Sequence, residues 1–219
     1  MKRIHEWKLY VVTDRGLSKG RSNEVVIRQA VLGGADVIQL RDKETSTAKL
    51  YREAVLLRNL TKAMDTPFII NDRVDIASAV DADGVHLGQD DLPVSIARRI
   101  LGPDRIIGVS THLFQQALDA CKEEVDYISV GPIYSTTTKN AGPPVGLNLL
   151  RQVKENVSLP VVAIGGIGVD NVLEVLRAGA DMVAVVSAAV NADNIEASVR
   201  TLKTKITSVK YGENTNQTP

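Results

Sequence analysis

The chain has 219 residues, 44% hydrophobic and 24% charged, with 26 basic and 26 acidic side chains. That length suits one domain with one large core, and the balanced charge argues against a broad nucleic-acid footprint. The single cysteine, Cys121, excludes an internal disulfide and fits a reducing, cytoplasmic setting; it reads as a small buried residue in a helical run from Gln115 to Lys122. The start, Met1 to Trp7, lacks the apolar stretch of a signal peptide, and no apolar run approaches the length of a membrane span.

In chain order, Lys8–Val12 is the first short apolar strand and Ala35–Leu40 the second. Thr47–Met64 is predicted helical, with Leu50, Ala54, Leu57 and Leu60 on one face. Strands follow at Pro67–Ile70, Ala82–Leu87, Arg105–Val109, Val125–Val130 and Leu159–Ile164. A helix at Asp170–Ala178 presents Val172, Val175 and Leu176 on one side, and Gly179 stands where helices often terminate. Ala180–Val185 is the eighth strand. The tail from Tyr211 to Pro219 is polar and is expected to be disordered, leaving residues 1–210 for the folded domain.

A weak repeat underlies this order. Asp36, Asp83, Asp126 and Asp181 each precede a short apolar strand, at intervals of 47, 43 and 55 residues. Each interval holds two strand–helix units. Eight continuous apolar strands alternating with helices predict an α/β protein, a single-domain (β/α)8 TIM barrel. An open doubly wound sheet is the alternative. It lacks a G-x-G-x-x-G after the first strand, and Gly165-Gly166-Ile167-Gly168 does not fit that spacing.

Barrel chemistry sits at the C-terminal ends of the strands. Those ends carry Gln39-Leu40-Arg41-Asp42-Lys43, Asn71-Asp72-Arg73, His86-Leu87-Gly88-Gln89-Asp90-Asp91, Ser110-Thr111-His112, Thr136-Thr137-Thr138-Lys139, Gly165-Gly166 and Val186-Ser187. Arg41, Lys43 and Lys139 on one face suit a polyphosphate. Asp72 and Asp91 suit Mg²⁺, which takes one or two carboxylates together with phosphate oxygens. Asp72 could instead cap the helix from Val74 to Val80, and Asp90 could stand in for Asp91. The three threonine hydroxyls, Gly165-Gly166 and Val186-Ser187 suit a monophosphate held by hydroxyl and backbone donors. His86 reads as a satisfied core histidine and His112 as hydrogen-bonded near a helix start. Gly108-Val109-Ser110-Thr111-His112 lacks the last glycine of a nucleophile elbow, so covalent serine catalysis is not expected. The residues alone describe a metal–diphosphate site beside a monophosphate site, which suits a transferase that expels diphosphate.

These same segments, together with Leu9-Tyr10-Val11-Val12-Thr13-Asp14 and Gly131-Pro132-Ile133-Tyr134-Ser135, closely resemble the thiamine-phosphate synthase (thiamine-phosphate pyrophosphorylase) family. The resemblance runs from the first strand to the eighth. It implies the joining of 4-amino-2-methyl-5-hydroxymethylpyrimidine diphosphate to a thiazole phosphate, or its carboxylated form, with release of pyrophosphate. It implies Gln39, Arg41, Lys43, Asn71, Ser110 and Lys139 around the pyrimidine diphosphate, with Lys139, Ser110 and Arg41 as the catalytic groups. It implies one Mg²⁺ per active site on Asp72 and Asp91, and Thr136, Thr137, Thr138, Gly166, Val186 and Ser187 around the thiazole phosphate. The partners implied are small molecules, with no nucleic acid or membrane; a homo-oligomer is compatible with this. Met182 stands where the family pattern has Gly, a change expected to affect packing, and residues 140–144 read as a loop. The rival functions are a thiazole tautomerase of the same fold, which would not need the diphosphate and Mg²⁺ set, and a non-catalytic phosphate-ligand sensor.

Overall fold

Strand and helix alternate from the first strand to the eighth in the computed structural model, which describes residues 4–136 and 142–208. The strands are β1 (Leu9–Val12), β2 (Val37–Leu40), β3 (Phe68–Asn71), β4 (Gly84–Leu87), β5 (Ile106–Thr111), β6 (Tyr127–Val130), β7 (Val161–Ile164) and β8 (Met182–Val185). They pair in parallel in that order, and β8 returns to β1 with Tyr10 opposite Ala184, closing the barrel. The helices are α1 (Asn23–Leu32), α2 (Thr47–Ala63), α3 (Val74–Ala79), α4 (Val94–Leu101), α5 (Phe114–Ala120), α6 (Gly146–Asn156), α7 (Val172–Arg177), α8 (Ser187–Val190) and α9 (Ile195–Thr207). The expected barrel is the observed one. The polar tail from residue 211 lies outside the described residues.

Successive strand side chains point to opposite faces, so each strand feeds two cores. Leu9, Val11, Ile38, Leu40, Phe68, Ile70, Val85 and Leu87 pack outward against the helices. There they meet Leu50, Ala54 and Leu57 of α2, and Val172, Val175 and Leu176 of α7. Full burial of one such side chain contributes about 1.5–3 kcal/mol. The alternate residues, including Tyr10, Val12, Val37, Ile69, Ile106, Tyr127, Val162 and Met182, fill the barrel interior with Trp7. Met182 is a buried member of that inner cluster.

The repeated aspartates explain the repeat. Each stands one residue before an even-numbered strand and grips the odd-numbered strand before it. The Asp N–H donates to the carbonyl of Leu9, Phe68, Ile107 or Val161. The carboxylate of Asp36, Asp83, Asp126 or Asp181 accepts the N–H of that same residue at 2.7–2.8 Å. Each carboxylate also meets a helical cation: Lys203, Arg58, Arg98 and Lys154 respectively. Four such clamps hold the N-terminal end of the barrel, opposite the end where chemistry is expected.

Cys121 corrects an expectation. It is exposed, because α5 ends at Ala120 and turns Ala117 and Ala120 inward, leaving Cys121 at the cap.

Candidate active site

Two loops bring cations to one rim. After β1, the buried Thr13 hydroxyl accepts the Arg41 N–H at 3.0 Å, and Asp14 meets the Arg41 guanidinium at 3.3 Å. Asp42 accepts the N–H groups of Glu44 and Thr45 and pairs with Arg15, fixing the turn that carries Lys43. Lys43 Nζ lies 2.9 Å from Asp72 Oδ2.

Asp72 leaves β3 in a left-handed backbone conformation, φ 61°, a region that Asp tolerates better than most residues. Its N–H donates to the His86 carbonyl at 2.8 Å, tying the turn to β4. It does not cap the next helix: Arg73 holds the cap position of α3, without a side-chain hydrogen bond. Asp91 is fixed by the Gly88 N–H at 2.7 Å. Burial raises the Asp91 pKa first of all; the Gly88 hydrogen bond lowers it, the nearby Asp72 carboxylate raises it, and Lys43 lowers it. Two carboxylates that oppose each other's charge in this way form a site that a cation would relieve. Asp91 is thus the partner of Asp72, while Asp90 is exposed.

Inside the barrel mouth, the inward positions near the strand ends turn from apolar to polar. Gln39 is buried on β2, Asn71 ends β3 opposite His86 of β4, and Ser110 of β5 pairs with Ser129 of β6. His86 is buried and satisfied, as its sequence context implied: Nε2 lies 2.9 Å from Ser110 Oγ, and Nδ1 lies 2.9 Å from Tyr127 Oη. Burial pushes its pKa down to about 4, against a smaller upward pull from Asp91. His112 stands at the start of α5, bonded through its N–H to Gln116 and through Nδ1 to the Gly131 carbonyl. Gln89 donates to the Ser110 carbonyl. Tyr10 and Tyr127, whose hydroxyls are 3.0 Å apart, had no assigned role in the sequence. A tyrosine at an inward strand position was the signal, because its buried hydroxyl needs a partner.

A cleft of about 420 Å³ lies over the loops after β6, β7 and β8, lined by Ser135, Thr136, Gly166, Gly168, Asn171 and Ser187 among others. Gly166 has φ 66°, and a Cβ there would stand 2.6 Å from the Ser135 carbonyl oxygen. Only glycine lets these two loops approach so closely. Asn171 braces the loop, accepting the Gly168 N–H and donating to the Gly166 carbonyl. Val186 caps α8 at the same edge. Thr136, Gly166 and Ser187 are therefore together, and Asp170 also lines the cleft. Thr137, Thr138 and Lys139, with Asn140 and Ala141 of the following loop, lie outside the described residues.

A closed parallel barrel with a cation–carboxylate rim and a glycine-cradled cleft at the C-terminal ends of its strands has the build of a (β/α)8 barrel enzyme. A family model described as thiamine monophosphate synthase matches residues 9–189. A thiamine-phosphate synthase from Chloroflexus aurantiacus is 54% identical over 201 residues, covering 91% of this chain and 93% of that protein. One from Alkaliphilus oremlandii is 46% identical, covering 92% and 96%. The solved thiamine phosphate pyrophosphorylase from Pyrococcus furiosus superposes with a TM-score of 0.86 at 41% identity, covering 93% and 97% of the two chains. The chain belongs to the thiamine monophosphate synthase family and is a transferase with that family's activity.

Proposed function

We propose that the rim and the cleft divide the two substrates of a thiamine-phosphate synthase reaction between them. The pyrimidine diphosphate lies over Gln39, Arg41, Lys43, Asn71 and Ser110, and the family resemblance assigns Lys139 to the same ligand. The thiazole phosphate lies in the cleft that Thr136, Gly166 and Ser187 line, beside Val186, and the family resemblance assigns Thr137 and Thr138 to the same ligand. The observation that carries this reading is the Asp72–Asp91 pair, with Lys43 beside it, at the same mouth as Ser110 and Arg41.

The carbon–oxygen bond between the pyrimidine methylene and the diphosphate breaks, and its electron pair leaves with the diphosphate oxygen. The pyrimidine amino group spreads the positive charge left on the methylene carbon. The lone pair of the thiazole nitrogen then forms the new carbon–nitrogen bond. Arg41, Lys43, Ser110 and Lys139 stabilise the charge growing on the leaving diphosphate, an interaction stronger in the transition state than in the ground state. The two sites orient the partners and shield the cation from water. Asp72 and Asp91 fit one Mg²⁺, which would supply further charge neutralisation on the diphosphate. The reaction uses diffusible small molecules, which suits a cytoplasmic setting. Among the described residues no helix is long and apolar enough to cross a membrane.

The test mixes both substrates with Mg²⁺ and measures pyrophosphate and thiamine phosphate together. Equal amounts of the two products are expected. Consumption of neither substrate, or isomerisation of the thiazole alone, would overturn the reading.

A further inference from the structure

A continuous line of hydrogen bonds crosses the barrel interior and joins two of the proposed diphosphate-site residues. Gln39 Nε2 donates to Tyr10 Oη at 2.9 Å, and Tyr10 Oη lies 3.0 Å from Tyr127 Oη. Tyr127 Oη lies 2.9 Å from His86 Nδ1. His86 Nε2 lies 2.9 Å from Ser110 Oγ and 3.4 Å from Ser129 Oγ. The rings are packed as well as bonded. Tyr127 stacks on His86 at 5.5 Å and meets Tyr10 edge-on at 6.1 Å. Gly108 makes room for the Tyr127 ring: a Cβ on Gly108 would stand 2.1 Å from Tyr127 Cζ.

The line has a direction. An amide nitrogen only donates, and each tyrosine hydroxyl has one proton to give. Gln39 therefore makes Tyr10 an acceptor, and among the described residues Tyr127 Oη is the remaining partner for the buried Tyr10 proton, which points to it. The Tyr127 proton in turn points to His86 Nδ1. An Nδ1 that accepts carries no proton, so the imidazole is neutral. A neutral imidazole whose Nδ1 accepts carries its proton on Nε2. That Nε2–H faces Ser110 Oγ, which must accept it, so the Ser110 proton is turned to another partner.

We propose that Tyr10 and Tyr127 are positioning residues, whose relay holds His86 in the Nε2–H tautomer and thereby makes Ser110 a hydrogen-bond donor to a diphosphate oxygen. The proposal rests on the reading of Ser110 as a ligand group. A donor at that place is what a leaving diphosphate needs, since its oxygen gains negative charge as the bond breaks. Were the relay reversed, Ser110 would donate to His86 and present only lone pairs to an anion.

Long-range ¹⁵N–¹H spectra of the ligand-free protein test the relay directly, with His86→Gln identifying the His86 signals among the three histidines. The expected spectrum shows His86 protonated at Nε2. In Tyr127→Phe the two tautomers should mix, and inorganic pyrophosphate with Mg²⁺ should bind about fivefold more weakly, the worth of one hydrogen bond. A wild-type His86 protonated at Nδ1 would overturn the relay, and that measurement needs no variant to fold. Unchanged tautomer and unchanged pyrophosphate affinity in folded Tyr127→Phe would overturn it too. Ser110→Ala with undiminished pyrophosphate affinity would remove Ser110 from the ligand site. That failure belongs to the site assignment, and a wild-type Nε2–H signal would distinguish it from failure of the relay.

Discussion

Asp91→Asn should move stability and activity in opposite directions. The substitution removes a negative charge yet keeps an oxygen for the Gly88 N–H. In the metal-free protein, burial first and the Asp72 carboxylate after it raise the Asp91 pKa. A carboxyl whose pKa is higher in the folded than in the unfolded chain binds more protons when folded. Stability therefore falls as pH rises from the unfolded pKa through the folded one, and the whole penalty is present at neutral pH. The amide escapes that penalty. Two unit charges about 4 Å apart in near-aqueous surroundings cost about 1 kcal/mol, and Lys43, 2.9 Å from Asp72, offsets part of it. Since the site is partly open to solvent, the gain should fall below that figure. For a chain of this size, 1 kcal/mol corresponds to about 2–4 °C, so Tm in EDTA at pH 7 should rise by less than that. Turnover should fall about tenfold or more in kcat/KM at limiting Mg²⁺, about 1.4 kcal/mol of lost transition-state stabilisation. Thermal unfolding in EDTA and a Mg²⁺ titration of initial rates measure the two effects. A Tm several degrees lower with an unaltered Mg²⁺ dependence would refute the reasoning, leaving Asp91 as a brace for the Gly88 turn.

Ser187→Asp should raise KM for the thiazole phosphate far more than for the pyrimidine diphosphate, because a carboxylate would enter the cleft that Thr136 and Gly166 line; equal penalties in steady-state kinetics would misplace the cup. Asp83→Ala should cost about 3–5 kcal/mol, since it strips a buried carboxylate from Arg58 and the Phe68 N–H. That corresponds to a fall of about 6–20 °C in Tm, while kcat of the folded fraction should stay near normal, because the clamp lies at the far end of the barrel. Gly108→Ala should destabilise by about 1–3 kcal/mol through overpacking against Tyr127, read by urea unfolding, and should reduce kcat as well. Full activity in that variant would detach the Tyr127 ring from the chemistry.

The barrel was legible because parallel strands buried on both faces leave continuous apolar runs, and because Asp36, Asp83, Asp126 and Asp181 repeat beside them. Their purpose was not legible. The cations they grip lie between 25 and 167 residues away in the chain, and nothing local marks Arg58 or Lys203 as a partner. The rim residues Arg41, Lys43, Asp72 and Asp91 could be named from strand-end position alone. The sequence left Asp72 open between a cap and a ligand, and Asp90 open as a substitute for Asp91; in the structure Arg73 holds the cap position and Asp91 is the carboxylate that meets Asp72, while metal binding by that pair is the proposal made above. The relay through Tyr10 and Tyr127 escaped a reading that looked only at strand ends, because both tyrosines lie deeper in the barrel. Cys121 is exposed against expectation because α5 is short, and a short helix leaves its last residues little periodicity from which to tell inside from outside.

Among the four clamps, Asp36 sits on a seam. Its carboxylate accepts the N–H groups of Lys8 and Leu9 on the approach to β1, and its cation, Lys203, comes from the final helix. One side chain therefore links the first strand to α9. During synthesis Asp36 can meet Lys8 and Leu9 early, but its ion pair must wait until α9 has emerged, so this clamp is the last of the four to be completed. Hydrogen exchange at Leu9, compared between the unaltered chain and Lys203→Ala, would gauge how far that last ion pair steadies the contact, beside the Phe68, Ile107 and Val161 amides, whose clamps draw their cations from nearer segments.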